Sequence, residues 1–379
     1  MLILACYINF KKERQLYPIK NLNKSTVVKS SLLVGLLFAV LSGCNSGSSS
    51  TPVNPSVVYN QFNYSTTPVF SSLITGVRGV SDSSNVYITG LFYESSSSTL
   101  SQGMLYTGPV GGGGSWAVLN FPNSASTSLY GPDNDGAGNV IVAGSYTLPS
   151  APTIQRGLVY QGSATGGGTW SDLDMSSMIV RPNESAIFTF AHSTMGGLVV
   201  GNFDTNLATG RAFVYSINSN SYTELIKPHA MSITAYGIWY NQGTSYTIAG
   251  GYSDTNESEI SVAYLADWNS ATNTASNWTS YNFNNQPELV THFEGITTDG
   301  SGGYNLAVDY ADSLGLHAGI GHVARNSDGT FGAATWATVQ YPGAVITSAN
   351  TVYQNYIMGV YTLSSTPAIN AYTAAVPGF

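Results

Sequence analysis

The sequence predicts an all-β fold: a six-bladed β-propeller of four-stranded antiparallel blades, the last blade closed by the N-terminal strand. Three observations carry this. Only 8% of the 379 residues are charged, against about 25% in an ordinary soluble domain, while 25 Tyr, 41 Gly and many Ser, Thr and Val favour strands and turns over helices. One strand pattern recurs six times: an apolar run that ends in a small residue, followed two positions on by an aromatic. The sixth copy runs out of chain before its fourth strand, and a segment of the missing type stands at the opposite end.

The recurring strand reads Val86-Tyr-Ile-Thr-Gly90-Leu-Phe, Val140-Ile-Val-Ala-Gly144-Ser-Tyr and Leu198-Val-Val-Gly201-Asn-Phe in the first three copies. It returns as Tyr246-Thr-Ile-Ala-Gly250-Gly-Tyr, Asn305-Leu-Ala-Val308-Asp-Tyr and Tyr356-Ile-Met-Gly359-Val-Tyr. The small-residue anchors are 54, 57, 49, 58 and 51 residues apart, a period expected of propeller blades. A short strand precedes each anchor, as at Ile74–Val77 or Phe293–Ile296, and another follows it, as at Leu105-Tyr106 or Val159-Tyr160. The fourth opens with an aromatic: Trp116, Trp170, Tyr222, Trp278 and Trp336. In the sixth copy its counterpart is Tyr59-Asn-Gln-Phe-Asn-Tyr64, predicted to pair with the C-terminal tail and so leave no exposed sheet edge.

Residues 1–43 read as a leader rather than as part of the fold. A basic stretch from Lys20 to Lys29 leads into an apolar run, Ser31 to Leu41, too short to span a bilayer. Leu41-Ser42-Gly43-Cys44 follows and resembles the bacterial lipobox. That resemblance implies cleavage before Cys44, lipidation of its thiol and a membrane attachment through the lipid. Residues 44–56 then form a flexible tether and 57–379 the propeller. The expected address is the cell envelope, at the outer rather than the inner membrane, with the domain in the periplasm or at the cell surface. Only Cys6 and Cys44 are present, so the fold is expected to hold without disulfides. Beyond residue 43, six Arg and Lys face nineteen Asp and Glu, which excludes nucleic acid as a partner.

Two further resemblances touch the repeats. Arg211-Ala-Phe-Val-Tyr, followed by SITAYGI and YTIAGGYSD, is similar to bacterial extracellular HAF-type repeats. Ser163-Ala-Thr-Gly-Gly-Gly-Thr-Trp170 resembles the Asp-box hairpin of sialidase-type propellers, with Thr165 in place of the Asp. The Asp-box is a structural turn, so the likeness implies fold. The five Arg beyond the leader, of which only Arg78 falls on a first strand, speak against a sialidase.

Nucleophile motifs are absent from 44–379, and Gly111–Gly114 lacks the Lys of a phosphate loop. His317 and His322 lie an odd five residues apart, on opposite faces of one strand, so no metal pair is expected. Asp133-Asn-Asp135-Gly-Ala-Gly-Asn139 is read as a tight turn, with calcium as the secondary reading; otherwise no cofactor and no metal are expected. First strands surround a propeller's axis, which makes Arg78, Asp133, His192, Tyr236, His292 and Glu294 the candidate channel-lining residues for binding. No catalytic residue is assigned. Four Trp recur at one strand start and read as packing between blades, leaving Trp239 and Trp268 as candidates for exposed contacts. The expected function is a lipid-anchored, non-catalytic scaffold that binds protein or glycan. The alternative is a polysaccharide hydrolase or lyase acting in the central funnel.

Overall fold

The computed structural model describes residues 57–175, 181, 183–207, 209–254 and 261–379. The leader, Cys44 and the tether to residue 56 lie outside them. Twenty-four strands form six separate four-stranded antiparallel sheets. Blade 1 comprises Ser71–Gly79, Val86–Tyr93, Gln102–Gly108 and Ser115–Val118, and blade 2 comprises Ser126–Asn134, Val140–Leu148, Ala151–Gly162 and Thr169–Leu173. Blade 3 is Ala186–Met195, Leu198–Thr205, Gly210–Ser216 and Ser221–Leu225; blade 4 is Ala230–Tyr240, Ser245–Asp254, Ser261–Asn269 and Thr274–Tyr281. Blade 5 is Val290–Thr298, Tyr304–Asp312, Gly315–Arg325 and Phe331–Val339. Blade 6 takes Ala344–Tyr353, Tyr356–Leu363 and Ile369–Ala375 from the C-terminus and Val58–Gln61 from the N-terminus. The first strand of each blade packs against that of the next, and blade 6 returns to blade 1. All six first strands run the same way along the axis, from an entry end to an exit end.

The closure is specific. Val58 pairs with Ala375 and Gln61 with Tyr372, and the ladder extends through the Phe62 amide on the Ala371 carbonyl at 2.9 Å. The Asn63 side chain accepts from the Ala371 amide at 2.8 Å. Without this strand the third strand of blade 6 would carry a row of unpaired backbone groups.

The small residue and the aromatic of the repeated strand have separate causes. Opposite every anchor the first strand carries a β-bulge, falling after Ile74, Leu129, Ala191, Ala235, Phe293 and Ala349. The bulge drives a first-strand carbonyl onto the second strand, so a Cβ at Gly90 would overlap the Leu73 oxygen and one at Gly359 that of Ser348. Blade 5 accommodates Val308 at this position instead. The aromatic two residues on is covered by the chain arriving from the preceding blade. Tyr64 stacks on Phe92 (4.4 Å), Phe121 on Tyr146 (3.8 Å), Phe283 on Tyr310 (3.9 Å) and Tyr341 on Tyr361 (3.6 Å). Met175 shares a core cluster with Phe203, and the Lys227 ammonium lies 4.0 Å over Tyr252. Each stacked pair adds about 0.5–1.5 kcal/mol beyond its area burial, spread around the ring.

The recurring Trp lean on the same arriving segments, Trp116 on Phe62, Trp170 on Phe121 and Trp336 on Phe283. Trp268 corrects the sequence reading. It is 3% exposed within the core shared by blades 3 and 4, because the third strand of blade 4 turns that side chain toward its neighbour rather than outward.

Candidate functional site

The six bulges aim one residue per blade at the axis: Thr75, Tyr130, His192, Tyr236, Glu294 and Asn350. The space they leave is small. A cavity of about 20 Å³, the room of a single water, is lined by Thr75, Arg78, His192, Tyr236, Glu294 and Thr351 among others. Tyr236 sits edge-on to His192 at 4.8 Å and tilted against His292 at 6.0 Å, so aromatic rings fill the middle of the channel.

Toward the exit end the channel is stopped by Arg78. Its guanidinium donates to the carbonyls of Pro132 (3.4 Å), Thr194 (3.5 Å) and Ile238 (3.3 Å), on blades 2, 3 and 4, and lies 5.1 Å over the Trp239 ring. Asp133 supplies the countercharge and accepts from the Gly196 amide at 2.9 Å. Burial depresses the Arg78 pKa and raises that of Asp133, and the charge of each partner opposes the shift of the other. Asp133 therefore faces Arg78 and blade 3, while Asp135 caps its own turn by accepting from the amides of Ala137 and Asn139.

Toward the entry end the channel is polar. The His192 Nε2–H donates to Asn202 Oδ1 at 2.6 Å, and the Asn202 amide donates to Asp204 at 2.9 Å, which sets that tautomer. Burial pulls His192 down to about 4, the Asn202 bond opposing it. His292 lies over Gly251, where a Cβ would strike its ring, with Nδ1 3.5 Å from Glu294. Asp309 accepts from Ser348 Oγ at 2.8 Å and from the Ala349 amide at 2.7 Å, tying blade 5 to blade 6. Burial and then the charges of Glu294, Asp204 and Asp309 hold the Tyr236 phenol well above its ordinary range.

Of the six candidate residues, Arg78, His192, Tyr236 and Glu294 line the cavity. Asp133 stands behind Arg78, and His292 beside Glu294. Sequence reasoning missed Asn202 and Asp309, whose signal was a polar residue just after the anchor. It also missed Thr75, Tyr130 and Asn350, which the bulges turn inward.

Two features lie outside the channel. Among the described residues, seven of the nine exposed large apolar ones, Leu100, Ile187, Leu207, Ile226, Met231, Leu314 and Val345, sit in entry-end connections or on the opening residues of first strands. Around blade 3 that end is tied by Glu184, which takes Arg211 Nε at 2.9 Å, Thr209 Oγ1 at 2.9 Å and Arg181 at 3.4 Å. Burial raises the Glu184 pKa, but these donors outweigh it and hold the carboxyl near 2. At the exit end, a pocket of about 450 Å³ opens between blades 4 and 5, lined by Trp239, Gln242, Ser245, Asp267, Thr298 and Arg325 among others.

No family model matches the chain, and neither does any curated protein sequence. One solved structure shares its architecture, and others give lower scores. A protein of unknown function from Dyadobacter fermentans superposes at TM-score 0.54 with 11% identity, over 85% of this chain and all of its own. A luciferin-regenerating enzyme gives 0.49 and 12% over 85% of this chain and 96% of its own. The α-L-arabinofuranosidase Arb93A of Fusarium graminearum gives 0.49 and 13% over 80% and 92%. Identities this low speak for the fold alone.

Proposed function

We propose that this protein is an envelope-anchored lipoprotein, attached through Cys44, whose propeller is a non-catalytic binding scaffold for protein or glycan. One observation carries the reading: the central channel is filled. A hydrolase or lyase working in the funnel needs room for a sugar ring between its carboxylates, whereas the residues around Tyr236 leave about 20 Å³. Binding is then left to the two ends of the ring. Four exposed apolar residues of the entry end, Ile187, Leu207, Ile226 and Met231, belong to blades 3 and 4 or their connection, and support a protein partner there, since exposed apolar patches mark interaction surfaces. The strand Val58–Gln61 starts beside Ala375, so the described chain begins at the exit end, opposite that face.

Two measurements test this. Metabolic labelling with a radioactive fatty acid is expected to mark the wild-type chain and to leave Cys44→Ala unlabelled. Capture from native envelopes is expected to retain a defined protein, lost in an Ile226→Glu, Met231→Glu variant that folds normally. Release of reducing ends from a polysaccharide, abolished by Glu294→Gln, would establish the hydrolase instead.

A further inference from the structure

We infer that the exit-end pocket between blades 4 and 5 is a binding subsite for a neutral sugar unit of a glycan. This deepens the glycan side of the scaffold reading and rests on it for the absence of cleavage. A volume of about 450 Å³ falls within the range of small-ligand sites, and the opening lies at the end opposite the apolar entry face, sharing Trp239 with the Arg78 plug of the channel.

The charges in the pocket are already spent. Arg325 of blade 5 donates through both terminal nitrogens to Asp267 of blade 4, one of these bonds being 3.1 Å, and further to Thr247, Tyr304 and the Gly329 carbonyl. Its guanidinium also lies 4.3 Å over the Phe331 ring. Asp267 accepts in addition from Asn277 at 2.9 Å. An anion arriving here finds no unmatched cation, and a cation no unmatched carboxylate. The pair acts as a rigid, neutral floor.

What remains available is uncharged. The half-buried Trp239 indole packs on the core of blades 4 and 5 under Arg78, lines the pocket with the part of its ring these contacts leave open, and its N–H makes no hydrogen bond among the described residues. The side chains of Gln242 and Ser245, both exposed at the mouth, likewise spend no donor or acceptor on the protein. Gln242 holds φ at 84° on a hairpin turn, a conformation costly for a residue with a Cβ and one that clusters at ligand sites. An aromatic wall, a few uncommitted neutral hydrogen-bonding groups and cancelled charge suit a ligand that is apolar on one face and hydroxylated at its edge. A sugar ring is such a ligand.

The test is calorimetric titration of the full, detergent-solubilised chain with maltose, cellobiose and N,N′-diacetylchitobiose as neutral probes, and glucuronate and glucosamine as charged ones. Saturable binding of at least one neutral probe is expected, insensitive to salt. Ser245→Trp fills the mouth from an exposed position at the start of a strand and should weaken that binding at least about tenfold without lowering the melting temperature. Gln242→Ala should weaken it as well. Failure of all three neutral probes, preference for a charged one, or undiminished binding in Ser245→Trp would each overturn the inference. Capture of the entry-end partner by Ser245→Trp separates this failure from that of the scaffold reading itself.

Discussion

The Arg78 guanidinium of blade 1 crosses the central channel and donates at 3.3 Å to the Ile238 carbonyl of blade 4, the blade directly opposite. One side chain thus bridges the ring along a diameter and, through Pro132 and Thr194, touches both intervening blades. The channel of this propeller is a core in its own right, closed at one end by the buried Arg78 guanidinium on three backbone carbonyls and filled by aromatic rings in the middle.

Arg78 and Asp133 are both buried and each offsets the other's charge without a direct salt bridge, so removing Arg78 leaves a buried carboxylate uncompensated and three carbonyls without their donor. Arg78→Met should therefore destabilise the domain by about 3–5 kcal/mol, read by denaturant titration. Arg78→Met combined with Asp133→Asn should recover more than half of the loss. A single-variant cost below about 1 kcal/mol would mean that Asp133 is solvated after all.

Acid should unfold the domain in two stages. His192 is neutral in the fold, with its pKa lowered from 6.5 to about 4. In that window the unfolded chain binds the proton and the folded one does not, so stability is full above 6.5 and falls as pH drops toward 4. Glu184, lowered from 4.5 to about 2, contributes stability that is present above 4.5 and lost as pH falls toward 2. His192→Gln should flatten the first stage alone and Glu184→Gln the second alone, in melting temperature measured against pH.

Gly90→Ala puts a methyl group onto the Leu73 carbonyl at the bulge. Relief requires a backbone shift, with a cost of about 1–3 kcal/mol. Alanine at Gly136, where the added carbon meets nothing and only the turn's left-handed backbone resists, should cost about 1 kcal/mol. Equal losses at the two sites would argue against the bulge as the reason for the anchor.

A chain beginning after Gln61 would expose the third strand of blade 6 along its length. Light scattering should then show dimers or larger species that the whole domain does not form. A monodisperse monomer of undiminished stability would show that the ring does not depend on its terminal strand.

Much of the architecture is legible in short strings. The glycine of five of the six repeated strands answers to the bulge opposite, and the aromatic to the segment arriving from the previous blade, so both leave a trace every fifty or so residues. The same strings do not show that Trp268 is buried, nor that the pair Asp267 and Arg325 meets between blades. Those facts depend on how far each third strand rotates as it leaves the axis. Nor do they show Thr75 and Asn350 turning inward, since an extra residue in a strand pairing has no mark of its own in composition.

Local chain chemistry alone determined six repeats, four strands in each, and which terminus completes the last. Strand pairing and turn formation are short-range and repeat with the sequence. Whether the axis would be a funnel or a filled core was decided only by the closed ring. It sets the distance across which Arg78 reaches Ile238 and at which Tyr236 meets His192, and side chains of that length, held at that radius, leave space for one water.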